Sequence, residues 1–235
     1  MKLTGSDQRA QTQIVPVLYG VNVASVISTD GYVRPEDFEK RYQHKGCVVW
    51  LTGLSASGKS SIAREVQRLL FDRGCQVFVL DGDNIRCGLN RDLAFSHKDR
   101  AENIRRVGEV AKLFRQAGFI VIVALISPYQ KDRDKVRSMM DAGRFFEVYV
   151  YADLETCRKR DPKGLYLRAL AGEIHDFTGI SAPYEPPTKP DLVLDTRVLS
   201  IRESALKTIE MLFVHDIIPR SMRGGASTET PEGRR

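Results

Sequence analysis

The sequence has few cysteines and no long apolar run, and both shortages restrict what the protein can be. Its four cysteines, Cys47, Cys75, Cys87 and Cys157, lie far apart and form no CxxC pair. We therefore expect neither a disulfide scaffold nor a zinc site, but reduced thiols. No stretch of about 18 uninterrupted apolar residues occurs, which excludes a transmembrane helix. The first residues also lack the apolar core of a secretory signal, so we expect a cytoplasmic protein, with a plastid or another organelle as the alternative.

Extremes of composition are missing as well. Hydrophobic residues make up 42% and charged residues 28% of the 235 residues, which excludes a disordered or collagen-like chain and suits one domain of ordinary size. The net charge of +6 is compatible with a nucleic-acid binder and with an enzyme for anionic substrates. The placement of the basic residues must decide between the two.

Apolar segments of strand length alternate with segments of helical periodicity. Strands are predicted at 47–52, 76–81, 119–126, 145–152 and 191–196, and helices at 59–73, 101–117, 132–140, 200–214 and in part of 155–178. This alternation predicts an α/β protein with a parallel five-stranded sheet between two helical layers. Residues 1–45 are predicted to be an N-terminal arm with a short helix from Pro35, residues 46–218 the domain, and residues 219–235 a disordered tail.

A phosphate-binding loop stands between the first strand and the first long helix. Residues 53–60 read GLSASGKS and match G-x-x-x-x-G-K-[ST]. The glycines let backbone N–H groups face phosphates, the lysine reaches the β- and γ-phosphates, and the last serine can bind Mg²⁺. The predicted nucleotide-binding residues are Gly53, Ser55, Ala56, Ser57, Gly58, Lys59, Ser60 and Ser61. No NKxD base reader follows, and the length suits a small-molecule kinase better than a motor or a helicase.

Acidic residues follow the second predicted strand. Asp81 and Asp83 lie two residues apart, so they share one face if the strand continues. One of the two carboxylates can hold Mg²⁺ through water, and the other can accept the proton of an acceptor hydroxyl or orient that hydroxyl. The alternative is a plain turn, because the sequence DGDN is also typical of turns.

Basic and aromatic residues come next. Arg100, Asn103 and Arg106 recur at i, i+3 and i+6, which allows neighbours in this series to face one pocket. Arginine suits bidentate contacts with anions, and Phe95 can stack on a purine. A solvated basic helix face is the competing interpretation.

Residues 81–118 of this chain resemble the acceptor-binding region of the adenylylsulfate kinase (APS kinase) family. Three further segments are similar to that family in order: ISPYQKDRD at 126–134, the lid-like DPKGLYLRALAGEIHDFTGI at 161–180, and APYEPPTKPDLVLDT at 182–196. The resemblance covers about residues 45–217 and extends to plant, algal and bacterial members. Some plant and algal members use cysteine redox control, which we do not expect here.

The resemblance implies a three-layer P-loop NTPase fold with a basic lid and the reaction of ATP with adenosine 5′-phosphosulfate (APS) to give ADP and 3′-phosphoadenylylsulfate (PAPS). It implies Mg²⁺ bound near Ser60 and Asp81, a homodimer, and in some members an ATP sulfurylase partner. The implied catalytic residues are Lys59, Asp83, Ser127 and Lys163. The implied APS-binding residues are Asp83, Arg86, Phe95, Arg100, Asn103, Ile126, Ser127, Lys163, Asp176 and Phe177, and Arg160 is implied to lie against the ATP base.

Two of these positions carry a chemical question. Ser127 matches a serine sometimes described as a phosphorylated intermediate, but direct in-line transfer needs no such step, so we expect it to position the substrate. Ala56 stands where the family commonly has glycine, and alanine fits there unless φ is positive.

The lid-like segment is strongly basic. Arg158, Lys159, Arg160, Lys163 and Arg168 stand against Asp161 within residues 158–168. Such a cluster repels itself until an anion arrives, so closure of the lid can be coupled to nucleotide binding. A solvated basic helix is the alternative.

Three other functions compete with the leading hypothesis. A different P-loop kinase would act on a nucleoside monophosphate or a sugar. A catalytically silent nucleotide-binding module would not need Lys59, Ser60 and Asp83. A nucleic-acid binder would show steeply salt-dependent affinity. We expect partners among small anions, and neither nucleic acid nor membrane.

Overall fold

The computed structural model describes residues 33–224, and the fold below is that of the unit that begins at Pro35. Strands and helices alternate along the chain as the hydrophobic pattern predicts. The five strands are β1 (Cys47–Thr52), β2 (Val77–Asp81), β3 (Ile120–Ala124), β4 (Phe145–Tyr151) and β5 (Leu192–Asp195). The helices are α1 (Pro35–Tyr42), α2 (Lys59–Phe71), α3 (Gly82–Cys87), α4 (His97–Gln116), α5 (Gln130–Ser138), α6 (Leu154–Arg160), α7 (Leu165–Leu170) and α8 (Ile201–Val214).

The strands form one parallel sheet in the order β2-β3-β1-β4-β5. The central strand β1 is buried along its whole length, as expected for a parallel sheet covered on both faces. This confirms the predicted α/β fold with its five-stranded sheet. None of the helices within residues 33–224 has the length and apolar character needed to cross a membrane.

Side chains of β1 alternate between two cores because successive strand residues point to opposite faces. Val49 and Leu51 pack in a core with residues of α2 and α8, whereas Val48 and Trp50 pack in a second core with α4. A third and smaller cluster joins α6 and α7 through Cys157, Tyr166, Ala169 and Phe177. This third cluster anchors the predicted lid to the domain.

Several predicted boundaries move in the structure, and three of the changes have a clear local cause. Helix α4 begins at His97, four residues earlier than predicted, because the Ser96 hydroxyl accepts a hydrogen bond from the Asp99 backbone and caps it. Strand β3 ends at Ala124 rather than at residue 126, since the chain turns at Ser127 with φ of 40°. The basic segment 155–178 divides into α6 and α7, and the Asp161 carboxylate caps α7 by accepting from two backbone N–H groups.

Helix α1 lies within the predicted N-terminal arm and packs on the domain. Its Glu39 forms an ion pair with Arg144 at 3.0 Å and accepts a hydrogen bond from the Gly46 backbone. A side chain at Gly118 would meet Phe38 and Tyr42, so the helix contacts the end of α4 closely. Residues 220–224 of the predicted tail form a 3₁₀ turn. Residues 1–32 and 225–235 lie outside the described residues, and the domain boundaries stay a prediction.

Candidate active site

A cavity of about 1590 Å³ opens at the carboxyl ends of the strands. This is the edge at which open parallel sheets bind ligands. Of the predicted site residues, Gly53 and Ser57 do not line the cavity, and the others do: Ser55, Ala56, Gly58, Lys59, Ser60, Ser61, Asp81, Asp83, Arg86, Phe95, Arg100, Asn103, Ile126, Ser127, Arg160, Lys163, Asp176 and Phe177. The structure therefore brings together residues separated by more than a hundred positions.

The phosphate-binding loop curls between β1 and α2. Gly53 and Gly58 have φ of 150° and 106°, which glycine adopts without steric cost. A side chain at Gly53 would also lie 2.3 Å from the Val150 carbonyl oxygen, so the loop packs directly on β4. Gly58 caps α2, whose N-terminus faces the cavity with its unpaired N–H groups and positive dipole.

Ala56 adopts φ of 59° in the same loop. This left-handed conformation is the one that alanine disfavours, by about 1–2 kcal/mol. Alanine at this position therefore stores strain in the loop, and the loop's packing maintains it.

The Lys59 ammonium is buried inside the loop, with 8% of the residue exposed. It donates hydrogen bonds to the carbonyl oxygens of Gly53 and Leu54 at 2.9 and 2.6 Å. Burial lowers the pKa of Lys59 to about 8, against the opposing charges of Asp81 and Asp83. An anion in the loop would replace these carbonyl contacts with stronger ones and favour the charged form.

The acidic pair after β2 differs from the prediction. Gly82 begins α3, so Asp81 and Asp83 do not share one face of a continued strand. Instead, the Asp81 carboxylate caps α3 by accepting from the Asp83 backbone N–H at 3.1 Å. The Asp83 carboxylate is exposed and forms an ion pair with Lys163 of the segment between α6 and α7. Both carboxylates still line the cavity.

Arg100 is the most heavily bonded of the predicted acceptor-site residues. It is 8% exposed. Its guanidinium donates to the carbonyl oxygens of Phe95 and Asp176 at 2.9 and 2.5 Å and to the Thr178 hydroxyl at 3.1 Å. It thus joins the start of α4 to the segment that carries Phe177. Burial lowers the pKa of Arg100 without discharging it.

The Phe95 ring is half exposed at the cavity, where a ligand base can reach it. The Arg86 guanidinium lies 4.4 Å from the centre of this ring and donates to the Ala94 carbonyl oxygen at 3.0 Å. Phe177 is buried, and its ring packs edge-on against Tyr166 with 5.0 Å between centroids. The two phenylalanines supply apolar surface to the same cavity.

The series at i, i+3 and i+6 does not all face the cavity. Asn103 does, and its side-chain oxygen accepts from Asn90 at 3.0 Å. Arg106 instead forms ion pairs with Asp92 and Glu102 at 2.8 and 2.9 Å outside the cavity. The neighbours Arg100 and Asn103 thus share the cavity and Arg106 does not, because two successive steps of three residues rotate a helix by about 120° in all.

Contacts within the lid differ from the expected self-repulsion. Lys159 pairs with Glu155 at 2.7 Å and Arg168 with Glu173 at 3.0 Å, so acids just outside residues 158–168 offset two of the five positive charges. Arg160 donates to the Thr196 side chain and carbonyl at 3.0 and 2.6 Å.

One direct hydrogen bond and one bridge through Thr196 tie the lid to the phosphate-binding loop. The Thr196 hydroxyl, which contacts Arg160, also reaches the Ser57 carbonyl oxygen at 2.9 Å. The Tyr166 hydroxyl donates to the Ser55 carbonyl oxygen at 3.1 Å.

Several functional contacts escape sequence reasoning. Trp50 donates from Nε1 to the Ser127 hydroxyl at 3.0 Å, and Arg133 donates to the Ser127 carbonyl oxygen at 2.7 Å. Thr196 joins the lid to the phosphate loop, as described above. Trp50 reads as an ordinary core residue. Arg133 lies in the family-like segment 126–134, but nothing in the sequence marks it as a partner of Ser127. Thr196 follows directly on the last strand, a position at the ligand-binding edge that marks it only weakly.

The sheet order, the glycine loop entering α2 and the second group of anion-binding side chains in one cavity define a P-loop kinase. The family model for adenylylsulphate kinase matches residues 45–195. This chain belongs to the adenylylsulfate kinase family, a family of enzymes.

Curated relatives agree over most of the chain. A probable adenylyl-sulfate kinase of Halalkalibacterium halodurans is 52% identical over 195 residues, which are 83% of this chain and 96% of the relative. The adenylyl-sulfate kinase of Bacillus pumilus is 54% identical, with 79% of this chain and 94% of the relative covered.

A solved structure shows the same fold. The Mycobacterium tuberculosis APS kinase in complex with AMPPNP and APS superposes with a TM-score of 0.70 at 51% identity, over 72% of this chain and 98% of that one. The hexameric APS kinase from Thiobacillus denitrificans is 30% identical, with a TM-score of 0.58, and covers 78% of this chain and 32% of that one.

Proposed function

We propose that the cavity is the active site for the family's reaction and that the residues named below carry it out. The enzyme is an adenylyl-sulfate kinase: it transfers the γ-phosphoryl group of ATP to the 3′-hydroxyl of APS and yields PAPS and ADP. One observation carries the residue assignment. A single cavity holds a phosphate-binding loop with a buried lysine and, apart from it, a buried arginine, two phenylalanines and an exposed carboxylate.

The phosphate-binding loop is the proposed ATP site. Its backbone N–H groups and Lys59 bind the β- and γ-phosphates, and the strained Ala56 belongs to the cradle. The proposed ATP-binding residues also include four serines of the loop and of the start of α2, namely Ser55, Ser57, Ser60 and Ser61. Gly53 and Gly58 allow the backbone conformation of the loop. Arg160, fixed on Thr196 at the end of β5, is proposed to lie against the ATP base.

The region around α4 is the proposed APS site. Phe95 and Phe177 supply apolar surface for the adenine, and Arg86, Arg100 and Asn103 supply donors for the anion. The Arg100 guanidinium already donates to three protein acceptors. We therefore propose that the main role of Arg100 is to join the two sides of the pocket. Asp176, Ile126 and Ser127 complete the wall.

Asp83 is the proposed base for the 3′-hydroxyl. Its carboxylate is exposed to the cavity, and its partner Lys163 comes from the lid. In the complex Lys163 bridges substrate and phosphate charge, which leaves the carboxylate to accept the hydroxyl proton. Since charge on the transferring phosphoryl group develops between attacking and leaving oxygens, Lys59 and Lys163 stabilise it electrostatically.

Mg²⁺ fits the donors at this site. The Ser60 hydroxyl and the Asp81 carboxylate are hard oxygen ligands, and Mg²⁺ commonly takes one or two protein oxygens together with substrate phosphates. Bound there, the ion would neutralise charge on the β- and γ-phosphates.

An acceptor panel tests the function. The protein is incubated with Mg-ATP and, in separate reactions, APS, AMP and a sugar such as gluconate. We expect ADP formation with APS only, its loss in Lys59→Met, and normal activity in the exposed α5 variant Lys135→Met. Transfer to AMP without transfer to APS would overturn the assignment in favour of a nucleoside monophosphate kinase. Nucleic-acid affinity that falls steeply with salt would support a different class.

Assembly and location belong to the same proposal. We expect a homodimer, which sedimentation of the full chain measures. Co-purification tests whether the chain also associates with an ATP sulfurylase, as the resemblance implies for some members. A cytoplasmic location is consistent with four free cysteines, of which Cys87 is exposed and the others are buried.

A further inference from the structure

The hydroxyl of Ser127 has a defined hydrogen-bonding direction. Ser127 lies on the cavity wall and is 3% exposed. Trp50 Nε1 donates to Ser127 Oγ at 3.0 Å, and because an indole nitrogen only donates, Oγ is the acceptor in this bond. The hydroxyl proton therefore points elsewhere. Its available protein acceptor, the Leu125 carbonyl oxygen, is 3.5 Å away, at the limit of a hydrogen bond.

Arg133 of α5 stabilises the position of the Ser127 turn, residues 126–128. This arginine is 1% exposed and pairs with the equally buried Glu147 at 2.6 Å. Its guanidinium also donates to the carbonyl oxygens of Ser127 and Glu185 at 2.7 and 2.8 Å and to the Gln130 side chain at 2.8 Å. Four acceptors around one planar group fix its orientation, and with it the position of the turn.

The backbone of the Ser127 turn is strained. Ser127 has φ of 40°, which a residue with a side chain holds only where its surroundings determine it strongly. The Thr52 hydroxyl adds a further restraint by donating to the Ile126 carbonyl oxygen at 2.8 Å. Such strained and over-determined positions cluster at functional sites, and this one borders the proposed APS pocket.

We propose that Trp50 and Arg133 are positioning residues that orient the Ser127 hydroxyl as a hydrogen-bond donor to an oxygen of bound APS. The inference rests on the proposed function. The same contacts argue against Ser127 as a nucleophile, because an indole N–H and a peptide carbonyl cannot take its proton as a base. Ser127 then acts on substrate orientation, and phosphoryl transfer proceeds directly to the 3′-hydroxyl.

Trp50→Phe tests the indole bond, since phenylalanine keeps an aromatic ring and loses the N–H. We expect the KM for APS to rise by about 3- to 10-fold while the KM for ATP stays within about twofold. Phe145→Leu is the matched control. Its ring packs 6.0 Å from Trp50 in the same core but makes no bond to Ser127, so it should lower the melting temperature without the split in KM.

Arg133→Lys tests the guanidinium independently of Trp50. Lysine keeps the charge beside Glu147 but cannot hold four acceptors in one plane, so the KM for APS should rise by roughly tenfold. Arg144→Lys, which changes an arginine paired with Glu39 away from the cavity, should leave both KM values unchanged. Thermal unfolding identifies the variants that are folded at the assay temperature.

A double-mutant cycle gives the decisive readout. If Trp50 acts through Ser127, Trp50→Phe should change the KM for APS little in a Ser127→Ala background. Equal rises in both KM values, or additive effects in the cycle, would show that Trp50 and Arg133 only support the fold and would overturn the inference. Failure of the wild-type enzyme to phosphorylate APS would instead overturn the proposed function, so the two failures are distinguishable.

Discussion

The buried ammonium of Lys59 predicts that ATP binding weakens as pH rises from 7 to 9. Burial against its own loop lowers the pKa of this group to about 8 in the nucleotide-free enzyme. A simple titration then leaves about 90% of Lys59 charged at pH 7 and about 10% at pH 9. Phosphates in the loop require the charged form and raise its pKa. The apparent Kd for Mg-ATP should therefore increase about tenfold over this interval.

Isothermal titration calorimetry at constant ionic strength measures the effect, and the protons taken up on binding provide a second readout. Near pH 8 to 9, ATP binding should be accompanied by the uptake of up to one proton per site. Lys59→Arg is the matched control, because a guanidinium stays charged throughout, so its weaker binding should not vary with pH. A wild-type Kd that is flat from pH 7 to 9, without proton uptake, would refute the reasoning.

The same lowered pKa has a consequence for stability, with the opposite sign. Because the unfolded lysine keeps its proton up to pH 10.5, burial of the charged ammonium destabilises the free enzyme below pH 8. The cost is about 3 kcal/mol at pH 7 and is relieved as pH rises from 8 to 10.5. Lys59→Met should therefore raise the melting temperature of the free enzyme at pH 7 while abolishing turnover. An unchanged or lower melting temperature would show that the carbonyl contacts of the ammonium offset its desolvation.

Three further variants test the site. Asp83→Asn should lower kcat by about 10²- to 10⁴-fold while calorimetric ATP affinity is retained, and wild-type turnover would remove Asp83 from the role of base. Arg100→Ala should raise the KM for APS by more than tenfold and the KM for ATP by less than twofold, because it removes the hydrogen bonds that join Phe95 to Thr178. Equal increases in both KM values would place Arg100 outside the APS site. Ala56→Gly should raise the free energy of unfolding by up to about 1 kcal/mol, because relief of the strained φ of 59° outweighs the greater conformational freedom of glycine in the unfolded chain. A clear decrease in denaturant unfolding would mean that the packing of the Ala56 methyl group contributes more than the backbone strain costs.

Flexibility of the lid depends on more than its charge. The segment is basic, yet Glu155 and Glu173 offset Lys159 and Arg168 at its surface. The contact that crosses the cavity is the pair of Lys163 and Asp83, which incoming nucleotides must rearrange. We therefore expect coupling of closure to nucleotide binding to depend on this one ion pair more than on general repulsion within residues 158–168.

Prediction from the sequence succeeded where the signal is local. Strand–helix alternation follows from hydrophobic periodicity, so the five strands and the parallel sheet were predictable, with errors at ends such as Ser96 and Ser127. The phosphate-binding loop was predictable because its glycines and lysine lie within eight residues. The acceptor region needed a family resemblance, since helical spacing alone could not separate Arg100 and Asn103, which line the cavity, from Arg106, which pairs with Asp92 outside it.

By itself, then, the sequence determined the α/β alternation, the phosphate-binding loop and the family to which the chain belongs. Tertiary structure alone decided which partners meet: Trp50 with Ser127, and Arg100 with Asp176 and Thr178, in each case across more than seventy residues. It also decided that Lys59 is buried and loses basicity. The physical reason is range. Motifs and periodicity encode interactions between near neighbours in the chain, whereas hydrogen-bond partners and desolvation depend on packing between distant segments.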